Sequence, residues 1–464
     1  MAPAPWDSIP PQDKLFVLVT GANSGIGFGI GERLIDEFLT TRPLTAHLVL
    51  IPTTRSESKS ALTISGLREH AKKFATTSKA LRSRVGPSYN PRDATKRVHL
   101  LSIQIDLCQF TSIRKAADQL INGTLTSIYQ DDDFFESLQD IKIPRLDAVI
   151  FNAGIGGWYG LDWPKVFHNI FTKGLLQATT YPTFKGSLGG HLTKPLSNTK
   201  SKAANEVMGE VFCANVFGHY MFAHRLVPLL QRKADVSKTL NPGRIIWESS
   251  VEPVWKNFDL EDFQAIKNPA AYESSKRLTD ILAITATLPA CQPFVKNFLQ
   301  IDDSEKKDTA IVPPNQYLAH PGIVQTTIFP LGAFLFFWYK VVLYLVRWMG
   351  SPWHCVTSYN GALSPVWLAL EQQEALDAAH AERSKWGSAI NRLGRQRAKK
   401  DEVEGWGWDG KVESPSVTRK ITGRRPDAVD LTEERRIEFE ALGAECWREM
   451  ERLRKEWESR LNEV

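Results

Sequence analysis

Tyr272 and Lys276 set a phenol and an amine at i and i+4 in Tyr272-Glu273-Ser274-Ser275-Lys276. In a helix both project from one face. A tyrosine with its ordinary pKa near ~10 is a poor acid at neutral pH, but a neighbouring ammonium favours the phenolate and strengthens the acid. Such a phenol can protonate the oxygen of a ketone while hydride arrives on its carbon. Upstream, Ser249 and Ser250 end an apolar run, and a hydroxyl from either can polarise the same carbonyl. Asn215, inside the helical run Cys213-Ala214-Asn215-Val216-Phe217-Gly218, is the candidate for holding a water in a proton relay to Lys276. A Tyr-x-x-x-Lys pair alone is common; the serine-ended strand before it and a glycine-rich first turn give it weight.

That turn is Thr20-Gly21-Ala22-Asn23-Ser24-Gly25-Ile26-Gly27, between an apolar run and a helical pattern. Its glycines allow a tight turn and close approach to phosphates, and the helix start offers unpaired N–H groups to an anion. Asp106, closing a third strand, can accept a hydrogen bond from an adenine amino group. Asn152-Ala153-Gly154 closes a fourth, where small residues let a ribose approach. Pro321-Gly322-Ile323-Val324-Gln325-Thr326 follows a sixth, and the Thr326 hydroxyl can hold a nicotinamide carboxamide. Tyr272 and Lys276 border the same site, Lys276 reaching the nicotinamide ribose. An NAD enzyme usually carries an acidic residue after the second strand. Here stand Thr53, Thr54, Arg55, Ser56 and Lys59. Hydroxyls and cations suit a 2′-phosphate, so NADPH is expected; the plainer reading is a solvated polar loop.

The elements that must position these groups alternate. Short apolar strands are predicted at 14–20, 47–51, 98–105, 146–151, 244–247 and 316–319, with helical patterns between them. This predicts an α/β fold, a doubly wound parallel sheet of Rossmann type. Three stretches fall outside the alternation: an aromatic, glycine-containing insertion at 156–190, a polar loop at 300–314, and a charged region beyond 371. The last carries a basic patch at 392–400 and a helical run at 431–461 with Phe439, Leu442, Cys446, Met450 and Leu453 on one stripe, suited to packing on its own domain or on a partner. The expected organisation is a flexible N-terminus at 1–13, one catalytic domain at 14–370, and a helical C-terminal extension at 371–464.

A 464-residue chain that is 42% hydrophobic and 23% charged can bury a large core. Its formal charge of +5 comes without a dense basic stripe, which gives no case for nucleic acid. Five scattered cysteines without a CxxC pair argue against a zinc site or a disulfide framework, and no metal is expected. The proline-rich 1–11 stretch lacks the design of a cleaved secretory signal. His168, His219 and His320 form no spaced cluster and read as packing or surface residues.

Together these motifs resemble the short-chain dehydrogenase/reductase family over roughly 14–370. Within it the chain is similar to the 3-ketosteroid reductases of sterol C-4 demethylation, especially those of fungal ergosterol synthesis. The closer likeness lies in Asn215-Val216-Phe217-Gly218-His219, Ile246-Trp247-Glu248-Ser249-Ser250 and Asn257-Phe258-Asp259-Leu260-Glu261-Asp262-Phe263-Gln264. The resemblance selects Ser250 over Ser249. It implies reduction of the C-3 ketone left after C-4 decarboxylation to a 3β-hydroxysterol. A 17-ketosteroid reductase, a retinal or lipid-aldehyde reductase, and a sterol-pathway scaffold without essential turnover are the alternatives. It further implies the other C-4 demethylation enzymes and the sterol cyclase as partners, at the endoplasmic reticulum membrane or a lipid droplet, with the active site facing the cytosol.

The stretch 328–349 is strongly apolar and aromatic but is weakened as a span by Pro330, Gly332 and Lys340. Lys340 and Arg347 are seven apart, so a helix lying in the interface is expected to send both to lipid headgroups and its phenylalanines into lipid. The segment is read as lid and membrane anchor in one; a core helix or a dimer interface is the other reading. The 158–184 part of the insertion is expected to form the opposite wall of the substrate pocket.

Overall fold

The computed structural model describes residues 4–194, 207–237, 240–301, 311–326, 328 and 331–462. Residues 302–310 of the expected polar loop, and 329 and 330 of the expected lid, lie outside the described residues.

Strand β1 (Lys14–Val19) shows why the chain makes a sheet covered on both faces. Phe16 and Leu18 point into one apolar layer, Val17 and Val19 into the other. A strand buried on both sides reads as an unbroken apolar run. β2 (His47–Thr54), β3 (Val98–Leu100), β4 (Ile103–Gln104) and β5 (Ala148–Phe151) follow, with helices Gly25–Thr41, Glu57–Thr77 and Phe110–Ile121 between them. The insertion folds as β6 (Trp158–Leu161), a helix Trp163–Thr180 kinked at Gly174, and β7 (Lys185–Ser187), which pairs antiparallel with β6. β8 (Arg232–Lys233) and β10 (Ile311–Val312) form a second small ribbon. β9 (Arg244–Glu248) and β11 (Asn315–His320) return to the main sheet.

Two further strands lie past the expected boundary at 370. β12 (Lys385–Ile390) pairs parallel with β11, and β13 (Gln396–Asp401) pairs antiparallel with β12. The main sheet is nine-stranded among the described residues, in the order β13-β12-β11-β9-β5-β1-β2-β3, with β4 beside β2. The region 371–464 is therefore not a helical extension alone: it supplies one edge of the sheet, and the basic 392–400 patch is a hairpin with its edge strand.

The last helix, Glu433–Asn462, lays Phe439, Cys446, Trp447, Met450 and Leu453 into the layer that holds Tyr220, Leu282 and Phe298. Of the two packing options its stripe left open, the chain's own domain takes it. The Tyr220 hydroxyl donates to Glu451 at 2.8 Å inside this layer, and Arg454 neutralises that carboxylate at 2.7 Å.

Helix Ala333–Met349 packs beside Trp163–Thr180. Lys340 is exposed, as expected of it, but Arg347 is not. Its guanidinium turns inward and donates to the His354 carbonyl at 2.9 Å and to the Cys355 carbonyl at 2.5 Å. Five and six residues beyond the helix end, those carbonyls belong to buried residues and need donors that water cannot supply. Among the described residues no single helix is long and apolar enough to cross a membrane.

Candidate active site

Strand order reverses between β1 and β5, and in doubly wound sheets ligands bind at the carboxyl ends of the strands flanking that point. A cleft of ≈ 930 Å³ opens there, lined by Gly21, Asn23, Ser24, Gly25, Ile26, Arg55, Asp106, Asn152, Ala153, Gly154 and Thr326. Gly21 sits at φ +65°, and a Cβ on it would lie 2.8 Å from the Ala153 Cα; only glycine closes this turn. The 17-residue helix that starts at Gly25 points its free N–H groups at the cleft. An open helix start, a guanidinium and small residues at the sheet edge fit a dinucleotide pyrophosphate and its ribose.

Several residues expected to touch a cofactor support the cleft instead of lining it. Thr20 is fully buried: its hydroxyl lies 2.9 Å from His219 Nε2 and accepts the Ala153 N–H at 3.1 Å. Burial holds the His219 imidazole neutral, down to about 3, so the ring braces the β1 and β5 ends. Gly27 lets the helix approach the turn, since a Cβ there would meet the Gly21 carbonyl oxygen at 2.3 Å. Thr54 borders the cleft, but its hydroxyl is turned to support, donating to the Ser56 carbonyl at 2.8 Å and pairing with Ser60. Lys59 does not line the cleft; its N–H donates to the Ser56 hydroxyl that caps the next helix. Pro321 and Gly322 lie behind Thr326, Gly322 donating its N–H to His320 Nδ1 at 3.2 Å.

Helix Ala271–Thr285 carries Tyr272 and Lys276, and both serines follow directly on the end of β9. The two serines part company. Ser249 donates to Asp280, which also pairs with Lys385 at 2.7 Å, all three buried. Ser250 stands beside the Tyr272 phenol and accepts the Glu252 N–H at 3.3 Å. Burial raises the Tyr272 phenol well above its ordinary value, the Glu252 carboxylate raises it further, and the Ser250 hydrogen bond pulls the other way. Lys276 Nζ lies 5.8 Å from the Tyr272 ring centre and donates to the Glu248 carbonyl at 2.7 Å. Burial pushes Lys276 down and Glu248 up, while the two groups attract one another. Ser250 is thus the neighbour that strengthens the Tyr272 acid, while the Lys276 ammonium stands 5.8 Å from the ring centre.

Asn215 sits in a π-turn, Cys213–Phe217, of the kind that often marks functional positions. Its side chain is committed: Oδ1 accepts the Ile155 N–H at 2.8 Å, and Nδ2 donates to the Ile155 carbonyl and to Ser275 Oγ, each at 3.0 Å. It ties the loop after β5 to the Tyr272 helix; a relay water held by this amide is not what the geometry provides. His320 is buried 3.2 Å from Asp401, and His168 is exposed, both in keeping with packing and surface roles.

Three residues at the site have no sequence motif. Trp158 lines the cleft and packs edge-on against Tyr272 with ring centres 4.7 Å apart, so the way from the cleft to the phenol passes this indole. Lys185, on β7, is buried between Glu252 and Glu273. Lys185 and Glu252 come from segments that read as loop, and only the hairpin brings them to Tyr272. The 158–184 insertion thus does stand beside the reactive face.

No family model matches the chain. Curated relatives do. The chain is 50% identical to 3-keto-steroid reductase ERG27 of Gibberella zeae, over 99% of this chain and 97% of that one. It is 41% identical to 3-keto-steroid reductase erg27 of Aspergillus fumigatus, over 97% and 96%. Among solved structures, NADPH-bound carbonyl reductase from chicken fatty liver aligns with 82% of this chain and 98% of its own, at 16% identity and a TM-score of 0.39.

Proposed function

The chain belongs to the 3-keto-steroid reductase family, and from that premise we propose that it reduces the C-3 ketone of a C-4-demethylated sterol intermediate of ergosterol synthesis to the 3β-hydroxysterol, using NADPH. The observation that carries the chemistry is the Ser250–Tyr272 hydroxyl pair with Lys276 one turn further along the same helix. Ser250 orients and polarises the ketone oxygen, and Tyr272 delivers its proton to it. Lys276, anchored on the Glu248 carbonyl, contributes positive charge and a donor for the nicotinamide ribose. Asn215 holds the Tyr272 helix against the Ile155 loop. The nicotinamide supplies the hydride when bound.

Arg55 supports the choice of NADPH. It is exposed at the cleft just past β2, where its guanidinium suits a 2′-phosphate. Asp106 and Thr326 both line the cleft, which supports assigning the first to the adenine amino group and the second to the nicotinamide carboxamide.

The apolar substrate suggests how it arrives. Phe334, Phe337, Trp338 and Trp348 of helix Ala333–Met349 are exposed, as are Phe167 and Phe171 of the neighbouring helix. Exposed aromatic surface on this scale marks an interaction site, and a bilayer or lipid droplet surface of the endoplasmic reticulum, met from the cytosol, suits a sterol enzyme. Other C-4 demethylation enzymes and the sterol cyclase are the neighbours expected there.

The test is turnover of a 3-ketosterol by purified full-length protein with NADPH or NADH. The wild-type chain should turn over with a lower KM for NADPH, while Tyr272→Phe should bind the cofactor and lose at least ~10³-fold in kcat. Turnover that survives Tyr272→Phe, or a preference for NADH, would count against the corresponding half of the reading.

A further inference from the structure

The Lys185 side chain is only 3% exposed, in a segment with no other cation within three residues, and both its ion-pair partners flank proposed reactive groups. Glu252 lies two residues past Ser250 and gives its N–H to that serine; Glu273 follows Tyr272 on the helix. Lys185 Nζ bonds Glu252 and reaches Glu273 Oε1 at 2.6 Å. The same ammonium lies 4.2 Å from the centre of the Trp158 ring and 5.0 Å from that of Tyr272. One side chain therefore binds the insertion hairpin to the serine loop and to the tyrosine helix. Burying an ammonium without partners costs several kcal/mol, so its place between two carboxylates is a built arrangement.

We propose that Lys185 is a positioning residue for carbonyl reduction: it clamps Glu252 and Glu273 over Tyr272, and the opposed charges of Lys185 and Glu252 tune the phenol as proton donor. This rests on the reading of Tyr272 as the acid. The charged and titratable groups around the phenol come from six segments. Its own helix offers Glu273, Lys276 and Asp280, and the β9 end offers Glu248 and Glu252. β7 offers Lys185, and β12 offers Lys385, which is tied to Asp280. Tyr339 of helix Ala333–Met349 feels the Glu252 charge, and Arg425 donates to the Glu252 carbonyl at 3.2 Å. Of these, Glu252 is the strongest charge opposing ionisation of Tyr272, after burial itself. Lys185, at 5.0 Å, stands closer to the ring than Lys276 at 5.8 Å.

The signs follow. A carboxylate beside the phenol raises its pKa, and an ammonium lowers it. The reverse reaction reads that value directly, because there Tyr272 as phenolate takes the proton from the C-3 hydroxyl while hydride leaves C-3 for the oxidised nicotinamide. The experiment is the pH dependence of kcat for oxidation of a 3β-hydroxysterol by NADP, with full-length protein. Glu252→Gln, which keeps shape and hydrogen bonding, should move the rising limb to lower pH by about one unit. Adding Lys185→Met to Glu252→Gln removes the cation without an unpaired Glu252 and should move the limb back up by a similar amount. Lys185→Arg should restore the Glu252→Gln position of the limb. A limb unmoved by Glu252→Gln, or one that the second change leaves in place, would overturn the proposal even with Tyr272→Phe inactive. An active Tyr272→Phe would instead remove the reading beneath it.

Discussion

Ser249 and Ser250 are adjacent in the chain, yet consecutive residues of an extended backbone point to opposite sides. Ser249 therefore reaches the buried Asp280–Lys385 pair while Ser250 meets the Tyr272 hydroxyl. The residue types alone leave the two equal; the pleat at the end of β9 separates them. Ser250→Ala should lower kcat roughly 10²- to 10³-fold with little change in unfolding midpoint, since it removes a donor to the ketone oxygen. Ser249→Ala should do the reverse. It leaves a buried carboxylate short of one hydrogen bond, costing about 1–3 kcal/mol, while turnover stays close to wild type. Steady-state kinetics and urea unfolding of both variants check the pair, and a larger kinetic defect in Ser249→Ala would reverse the assignment. The same contrast limits what residue types reveal about Lys185. Its neighbours Phe184 and Gly186 carry no signal, and its partners lie 67 and 88 positions away.

At the scale of elements, strands buried on both faces declared themselves through apolar runs, and β1, β2, β5, β9 and β11 fall within a few residues of their predicted places. β12 and β13 did not. β13, Gln396–Asp401, is an edge strand rich in lysine and arginine, the composition that keeps exposed edges from pairing with other chains. Such a strand lacks an apolar face to read, and its basic residues resemble a solvated patch. Helices behind the cleft show another kind of information that only contact supplies. His70, on helix Glu57–Thr77, sits 2.8 Å from Asp36 and 3.2 Å from Glu32 of helix Gly25–Thr41. Burial works against its charge, but hydrogen bonds and attraction to both carboxylates win, and its pKa rises to about 9. A folded value above the ordinary 6.5 means this contribution is complete below about pH 6.5 and is lost as pH rises through 9. The wild-type chain should therefore lose on the order of 1–3 kcal/mol between those limits that His70→Gln does not lose. Urea unfolding of both at about pH 6 and about pH 9.5 measures it; equal losses would show that the contact is electrostatically idle.

For the whole molecule, the question is what two adjoining helices with exposed aromatic faces do for an enzyme whose proposed substrate is a sterol. Helix Ala333–Met349 buries Leu343, Val346 and Arg347 and turns Phe334, at 74% exposure, and Phe337 outward; Phe171, at 85%, extends the face from the insertion. Because Arg347 is drawn inside to cap the His354 and Cys355 carbonyls, only Lys340 of the expected cationic pair is left to meet headgroups. The proposed membrane attachment would then depend more on aromatic insertion than on charge. Each phenylalanine that enters the acyl boundary contributes about 1–2 kcal/mol, so two or three of them set the balance between bound and free. Phe171→Ser with Phe334→Ser and Phe337→Ser should weaken co-sedimentation with neutral phosphatidylcholine vesicles at least ~10-fold. It should leave NADPH affinity and turnover of detergent-dispersed 3-ketosterol near wild type, because none of the three touches the Ser250–Tyr272 pair. High salt should matter little for the wild-type protein, as expected when apolar burial outweighs ionic attraction. Vesicle binding that persists in the triple variant, or that salt abolishes in the wild type, would overturn this face as the proposed lipid contact.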